Sequence, residues 1–367
     1  MSVPDRDNNA LNERAGDTIE LQPLQSWLQA HVPQVVPATA HLTVRRFPGG
    51  FSNLTYELSV HTNGNVRRYV LRRPPHGVTS GVAHNMSREH DVLAALHPLG
   101  IPVPQPIVRC DDSSVIGAPF YLMEFVDGVI LRGPGASGFR MDDGVASATM
   151  SALSHTFVNT LVQLHALPVD TEPLASVGRP LGYVSRQVHG WTRRWVASRT
   201  EELSSLNQVA AWLDANQPPD RDAALIHNDF KFDNLVLDRE TNRRVTAILD
   251  WEMATVGDPL MDVGTALAYW VEADDAPIFR SLGLGVTALP GSFTRTELLH
   301  AYSAASGRDI SDAAFYYTFG LFKVAVIAQQ IYARHVQGMT NDTRFGQLGV
   351  VVAALGDVAV QVAEQGL

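Results

Sequence analysis

The run Leu225-Ile226-His227-Asn228-Asp229-Phe230-Lys231-Phe232-Asp233-Asn234-Leu235-Val236-Leu237-Asp238 concentrates groups able to do chemistry. A carboxylate, Asp229, precedes a carboxamide, Asn234, with four residues between them, and an apolar stretch follows. A second apolar stretch, Val245 to Leu249, ends in another carboxylate, Asp250. Asp and Asn are frequent in ordinary turns, so that pair alone says little. His227, Lys231, the flanking strands and Asp250 make the pattern specific. Phosphoryl transfer has a use for each part. Asp229 can accept the proton of a hydroxyl, and Lys231 can stand beside a phosphate as a point charge. Asn234 and Asp250 offer hard oxygens to Mg²⁺. His227 is expected to brace the loop through hydrogen bonds. A metal-dependent hydrolase built on His227, Asp229 and Asp250 is a further reading of the same residues.

The elements that must position these groups divide the chain in two. Residues 1–20 read as a loose tail, followed by a helix from Leu21 to Ala30. Strands are expected at 43–47, 55–60, 66–72 and 120–126, with Asn63-Gly64-Asn65 as a hairpin turn. One helix lies among them, Ser87 to Leu96, with Ser87 as its N-cap. Residues 129–143 are Gly-rich and expected to be mobile. Helical spacing of apolar residues then dominates, at 146–167, 183–200, 203–215, 259–272, 296–305, 312–337 and 344–364. Short strands at 235–237 and 245–249 interrupt it. The expectation is an α+β, two-lobed fold: a tail 1–20, a β-rich lobe 21–126 and a mainly helical lobe 127–367.

Composition narrows the setting. Hydrophobic residues make up 45% of the 367, enough for a sizeable core. The net charge of −10 and the lack of a basic run argue against nucleic acid as a partner. Cys110 is the only cysteine, so no intrachain disulfide forms, and it is read as a structural thiol. Lys323, Gln329 and Gln330 break the apolar stretch 319–331, which reads as a buried helix rather than a membrane span. A cytoplasmic protein, monomer or homodimer, is expected. Lys231 and Lys323 are the only lysines; every other fixed cation is arginine.

The Asp229 segment resembles the catalytic loop of the protein-kinase-like superfamily, H-x-D-x-K-x-x-N. The continuation Ile248-Leu249-Asp250-Trp251-Glu252 to Gly257-Asp258-Pro259-Leu260-Met261-Asp262 is closer to the aminoglycoside phosphotransferase and choline kinase group. The runs Val70-Leu71-Arg72-Arg73-Pro74-Pro75 and Asp250-Trp251-Glu252-Met253-Ala254-Thr255 look like a subgroup that includes kinase-like domains fused to acyl-CoA dehydrogenases. The resemblance covers about residues 40 to 340. It implies an ATP- and Mg²⁺-dependent transfer to a hydroxyl of a small molecule, with Asp229 and Lys231 catalytic and Asn234 and Asp250 on the metal. It places Asp262 as a support of the catalytic loop. Gly49, Gly50, Phe51, Ser52 and Asn53 are implied as a loop over the phosphates, where glycines let backbone N–H groups approach.

Arg72 stands where that superfamily has a strand lysine, and is expected to pair with Glu89 and face the phosphates. Glu124 and Val126 are implied as backbone contacts to adenine. The subgroup hints at a hydroxyacyl acceptor or CoA thioester; an aminoglycoside or amino alcohol is the other class. Arg72 also motivates an alternative, a catalytically silent nucleotide-binding regulator. Acceptor contacts are expected from the helical lobe: Glu252, Tyr269, Trp270, Tyr316, Tyr317 and Gln330 by location, with Arg132, Arg140, Arg193 and Arg194 for an anionic acceptor.

Overall fold

The computed structural model describes residues 18–47, 53–75, 85–132, 146–279, 285–340 and 342–367. The expected phosphate loop at 49–52, Arg140, and most of the tail and of the Gly-rich segment lie outside these residues. The fold is α+β, and the chain divides into two compact units, Met1–Val126 and Asp127–Leu367.

The first unit is built on a five-stranded antiparallel sheet. Its strands are β1 (His41–Arg46), β2 (Leu54–Thr62), β3 (Asn65–Arg73), β4 (Pro106–Cys110) and β5 (Phe120–Glu124), in the order β1-β2-β3-β5-β4. Alternation along β2 sends Leu54, Tyr56, Leu58 and Val60 inward, as a half-buried strand requires. They meet Leu24 and Leu28 of α1 (Leu21–His31) in one core. Helix α2 (Met86–Leu96) starts at Asn85, whose side chain accepts the Arg88 N–H at 2.9 Å. The cap is therefore Asn85 rather than Ser87: both are good caps, but Ser87 lies inside the first turn and bonds Asp111 instead. β4 was not foreseen. It opens on Pro106, which an edge strand tolerates because its missing N–H is not needed there. Cys110, at its end, is buried, and burial raises its thiol pKa.

The second unit is mainly helical: α3 (Ala146–His165), α4 (Tyr183–Ser198), α5 (Ser204–Ala215), α6 (Pro259–Tyr269), the short α7 (Pro277–Phe279), α8 (Arg295–Ser306), α9 (Ala313–Val336) and α10 (Leu348–Gln365). Two small antiparallel pairs carry the chemistry-bearing loops. They are β6 (Ala224–Ile226) with β9 (Thr255–Gly257), and β7 (Leu235–Leu237) with β8 (Val245–Ile248).

Helices α6 and α9 cross backbone to backbone. A Cβ on Gly264 would stand 2.0 Å from the Tyr316 carbonyl oxygen, and one on Gly320 would stand 2.1 Å from that of Gly264. Only glycine permits this approach. The segment Thr343–Gln365 is apolar and long enough to cross a membrane, but α10 buries Val351, Val352, Leu355 and Ala359 in the unit, against α9 and α5.

Candidate active site

The loop from β6 to β7 carries His227 to Asn234. Phe230 and Phe232 anchor it by packing edge-on and tilted against Phe157 of α3, at ring separations of 4.7 and 5.1 Å. Lys231 Nζ lies 3.0 Å from each oxygen of the Asp229 carboxylate. Asn234 Nδ2 donates to Asp229 Oδ2 at 2.9 Å and to its backbone carbonyl at 2.8 Å. Asp229 is thus held in place by two side-chain donors. Burial works against the Lys231 charge, but Asp229, Tyr269 and Asp250 outweigh it and hold its pKa far above the usual range. The ring of Tyr269 lies under the ammonium, 4.4 Å from it. Burial and the Asp229 charge push the Tyr269 phenol up, so it stays protonated.

The backbone beneath this carboxylate is pinned by Asp262, in the first turn of α6. Its Oδ2 accepts the His227 N–H and its Oδ1 the Asn228 N–H, both at 2.7 Å. Asp262 has no exposed surface. Burial alone would raise its pKa, but His165 and the loop amides reverse this and lower it. His165 lies 3.3 Å from Asp262 Oδ2 and is itself bonded to the Tyr302 hydroxyl at 2.8 Å. The expected support role and the helix N-terminal position hold together for Asp262. His227 does brace the loop: Nδ1 accepts the Asp229 N–H at 3.2 Å, and Nε2 donates to Leu249 O at 2.8 Å. Both ring nitrogens are engaged, which leaves His227 no lone pair for a metal and removes the basis of the hydrolase reading.

Asn228 and Asp250 have φ of 66° and 68°, in the left-handed region. Asn and Asp tolerate it better than other side chains, yet such positions are kept where surroundings enforce them. Asn228 is enforced by Asp262 on its N–H and by its amide, which donates to Met253 O and the Tyr183 hydroxyl, both at 3.0 Å. Asp250 closes β8, and its charge is felt at both Lys231 and Tyr269. Asn234 gives its N–H groups to Asp229, so its Oδ1 remains as an oxygen donor. The Asp250 carboxylate is a second hard-oxygen group, and Mg²⁺ takes oxygens of this kind alongside those of phosphates. Among the described residues no three His, Cys, Asp or Glu gather as a metal cluster, and Mg²⁺ bound with phosphates needs none.

Residues 43–310 match the phosphotransferase enzyme family, APH. The chain belongs to this family. Among curated relatives of this phosphotransferase family member, acyl-CoA dehydrogenase family member 11 of Gallus gallus is 35% identical over 336 residues, 90% of this chain and 41% of that protein. The probable acyl-CoA dehydrogenase IBR3 of Arabidopsis thaliana is 34% identical, over 86% of this chain and 40% of that one. The chain thus spans about two fifths of the length of these relatives. Among solved structures, a Ralstonia eutropha protein provisionally assigned as an aminoglycoside phosphotransferase superposes with a TM-score of 0.76 at 28% identity. It covers 95% of this chain and 99% of its own. A macrolide 2'-phosphotransferase of type I, at a TM-score of 0.59 and 20% identity over 92% of this chain and 99% of its own, shares the fold. The β-rich first unit and larger helical second unit are those of the protein-kinase-like architecture.

In the first unit, Arg72 on β3 and Glu89 on α2 are brought together. Arg72 Nη1 lies 3.1 Å from Glu89 Oε1, and both side chains are buried. Asn53, the only described member of the expected phosphate loop, is also buried. β5 ends at Glu124, two residues short of the expected strand. The Glu124 N–H bonds Gln105 O at 2.9 Å, which leaves only its carbonyl for an adenine contact.

In the second unit the acceptor candidates separate. Tyr269 reaches Asp229 and Lys231. A small crevice, partly open to solvent, adjoins it and is lined by Lys231, Asp233 and Trp270 among others. Trp270 itself is core: its indole N–H bonds Phe293 O at 2.7 Å and its ring packs on Phe157. Tyr316 is core too, bonded to the α6 N-cap Asp258 at 2.6 Å, and Tyr317 is buried. Gln330 and Glu252 are half-buried, and Arg132, Arg193 and Arg194 are exposed. His165, Tyr183 and Tyr302 sit in no motif: Tyr183 bonds Asn228 of the loop, His165 bonds Asp262 beneath it, and Tyr302 bonds His165.

Proposed function

We propose that this protein transfers the γ-phosphoryl group of ATP to a hydroxyl of a small molecule, with Asp229 as general base. One observation carries the reading: the Asp229 carboxylate is held by Lys231 and Asn234 together, while Asn234 keeps an oxygen for a metal. Asp229 takes the proton as the acceptor oxygen bonds to phosphorus and the bond to the β,γ-bridging oxygen breaks, releasing ADP. Lys231 holds the carboxylate aligned and offers positive charge to the phosphate. Asn234 and Asp250 would hold Mg²⁺, which supplies charge neutralisation for the phosphates when bound. Arg72, oriented by Glu89, takes the place of the strand lysine toward the nucleotide. Its fork donates in two directions, so one arm can pair with Glu89 and another with phosphate.

The acceptor is proposed to be a hydroxyacyl compound, free or as a CoA thioester. The relatives named acyl-CoA dehydrogenase supply the reason. The crevice at Tyr269 and Asp233 is the proposed acceptor side. The test is ATP consumption with Mg²⁺ across hydroxyacyl-CoAs, free hydroxy acids, aminoglycosides and amino alcohols. Acceptor-dependent ADP release, strongest with a hydroxyacyl compound, is the expected result. Tight ATP binding with no transfer to any acceptor would favour the silent regulator.

A further inference from the structure

Both lysines of this chain converge on one loop. Lys231 lies in it, and Lys323 reaches it from the middle of α9, through the crossing at Gly320 and Gly264. Lys323 is 1% exposed, within the apolar run from Phe319 to Ala328 of α9. Burying an ammonium is costly unless it is paired or well bonded, yet Lys323 has no ion-pair partner among the described residues. Its Nζ donates to the backbone carbonyl of Asn228 at 2.5 Å and lies 3.4 Å from Thr265 Oγ1. The Asn228 carbonyl belongs to the peptide that leads directly into Asp229. Asp262 grips the N–H side of Asn228 from α6, and Lys323 grips the carbonyl side from α9. An apolar residue at 323 would leave that carbonyl without its donor and remove a positive charge that faces Asp229 and Asp262.

We propose that Lys323 is a positioning residue for Asp229: its ammonium fixes the Asn228–Asp229 peptide and supplies the positive charge beneath the loop, so turnover requires Lys323 protonated. The inference rests on the proposed role of Asp229. The charged groups facing Lys323 are Asp229 and Lys231 of the loop, Asp262 of α6 and Arg194 of α4, with the neutral Tyr183 of α4 on the same asparagine. Burial lowers the Lys323 pKa to about 8, Asp229 and Asp262 pulling against that and Lys231 and Arg194 adding to it. The ammonium is therefore released near the upper edge of the neutral range, where an exposed lysine would stay charged.

A chain with two lysines permits a direct test. Protein carrying ¹³Cε,¹⁵Nζ-lysine should give two resolved side-chain signals. One, assigned with Lys323→Met, is expected to titrate near pH 8, and the other to stay charged above the usual lysine range. Asp229→Asn should move the Lys323 midpoint down by removing a facing negative charge. In turnover assays, kcat should fall with the same midpoint as the Lys323 signal. Lys323→Met should lower kcat at least tenfold with KM for ATP unchanged, and Lys323→Arg, where it folds, should restore part of kcat and push the alkaline limb upward. A Lys323 signal that titrates near 10.5 and ignores Asp229→Asn, or a Lys323→Met enzyme with wild-type kcat, would overturn the proposal. If the wild type transfers phosphate to no acceptor, the phosphotransfer reading fails, while the lysine titration still decides whether Lys323 and Asp229 are coupled.

Discussion

Asp262 holds both loop amides that precede Asp229, accepting from His227 with one oxygen and from Asn228 with the other, each at 2.7 Å. A carboxylate has two equivalent acceptors, and a carboxamide has one. Asp262→Asn should therefore break one of the two bonds and point an N–H at a backbone N–H. Loss of a buried charge-assisted bond with an unsatisfied donor costs about 2–4 kcal/mol. Urea unfolding should show that loss, and kcat should fall about a hundredfold or more because Asp229 is no longer held. Unchanged kcat would mean that the loop is positioned without Asp262.

The Arg72–Glu89 pair gives a prediction confined to the first unit. Both side chains are buried, so Glu89→Gln removes a counter-charge from a buried guanidinium. Breaking a buried pair from one side costs about 3–5 kcal/mol. The variant should melt earlier and show a raised KM for ATP, with the acceptor KM little changed. Arg72→Lys keeps the charge and loses the fork, and it should raise KM for ATP with a smaller effect on stability. Equal effects on both substrates would contradict the assignment of Arg72 to the nucleotide.

The crossing of α6 and α9 predicts an effect far from any polar group. Gly320→Ala places a methyl 2.1 Å from the Gly264 carbonyl oxygen, within a backbone contact that cannot yield by a side-chain rotation. Overpacking of this kind costs about 1–3 kcal/mol or more. Separation of the helices would also withdraw Lys323, one turn along, from Asn228. Thermal melting and the Lys323 NMR signal should shift together. A neutral substitution would show that α9 can move without consequence.

The shifted pKa of Lys323 has a consequence for stability opposite to that for turnover. Folding depresses it from the ordinary 10.5 to about 8. Between these values the unfolded chain binds the extra proton, so stability rises with pH there, by about 1.4 kcal/mol per unit at most. Below about pH 8 both states hold the proton and the full burial penalty applies. From pH 8 to 9.5 the wild type should gain stability relative to Lys323→Met while its kcat declines. Parallel pH curves for the two proteins would remove Lys323 from the balance.

Much of this was legible in the sequence, for reasons that differ by element. The helices at 183–198, 204–215 and 313–336 show their apolar spacing plainly, and β2 alternates up to an Asn-Gly hairpin that leads into β3. Asp229, Lys231 and Asn234 announced themselves by local spacing, and the Arg72–Glu89 pair through resemblance. β6 and β9 did not: each is three residues, too few to show a period, and the equally short β7 was legible only from its place after the Asp229–Asn234 spacing. β4 was hidden by Pro106, and the α2 cap was misplaced between two equally good capping residues. The supports of the loop, His165, Tyr183 and Tyr302, come from segments far apart and carry no sequence signal. Lys323 was visible only as a charge interrupting an apolar run; its partner, a backbone carbonyl 95 positions earlier, is defined only by the fold.

The central claim is that Asp229 is the base of a phosphoryl transfer. Its most direct test is kcat of Asp229→Asn with ATP, Mg²⁺ and the best acceptor, beside ATP affinity measured by calorimetry. Asn keeps the size and an acceptor oxygen while losing the basic charge. Turnover should fall by about 10²–10⁴-fold, the range for loss of a general base, with ATP affinity within a few-fold of wild type. Turnover close to wild type would contradict the assignment.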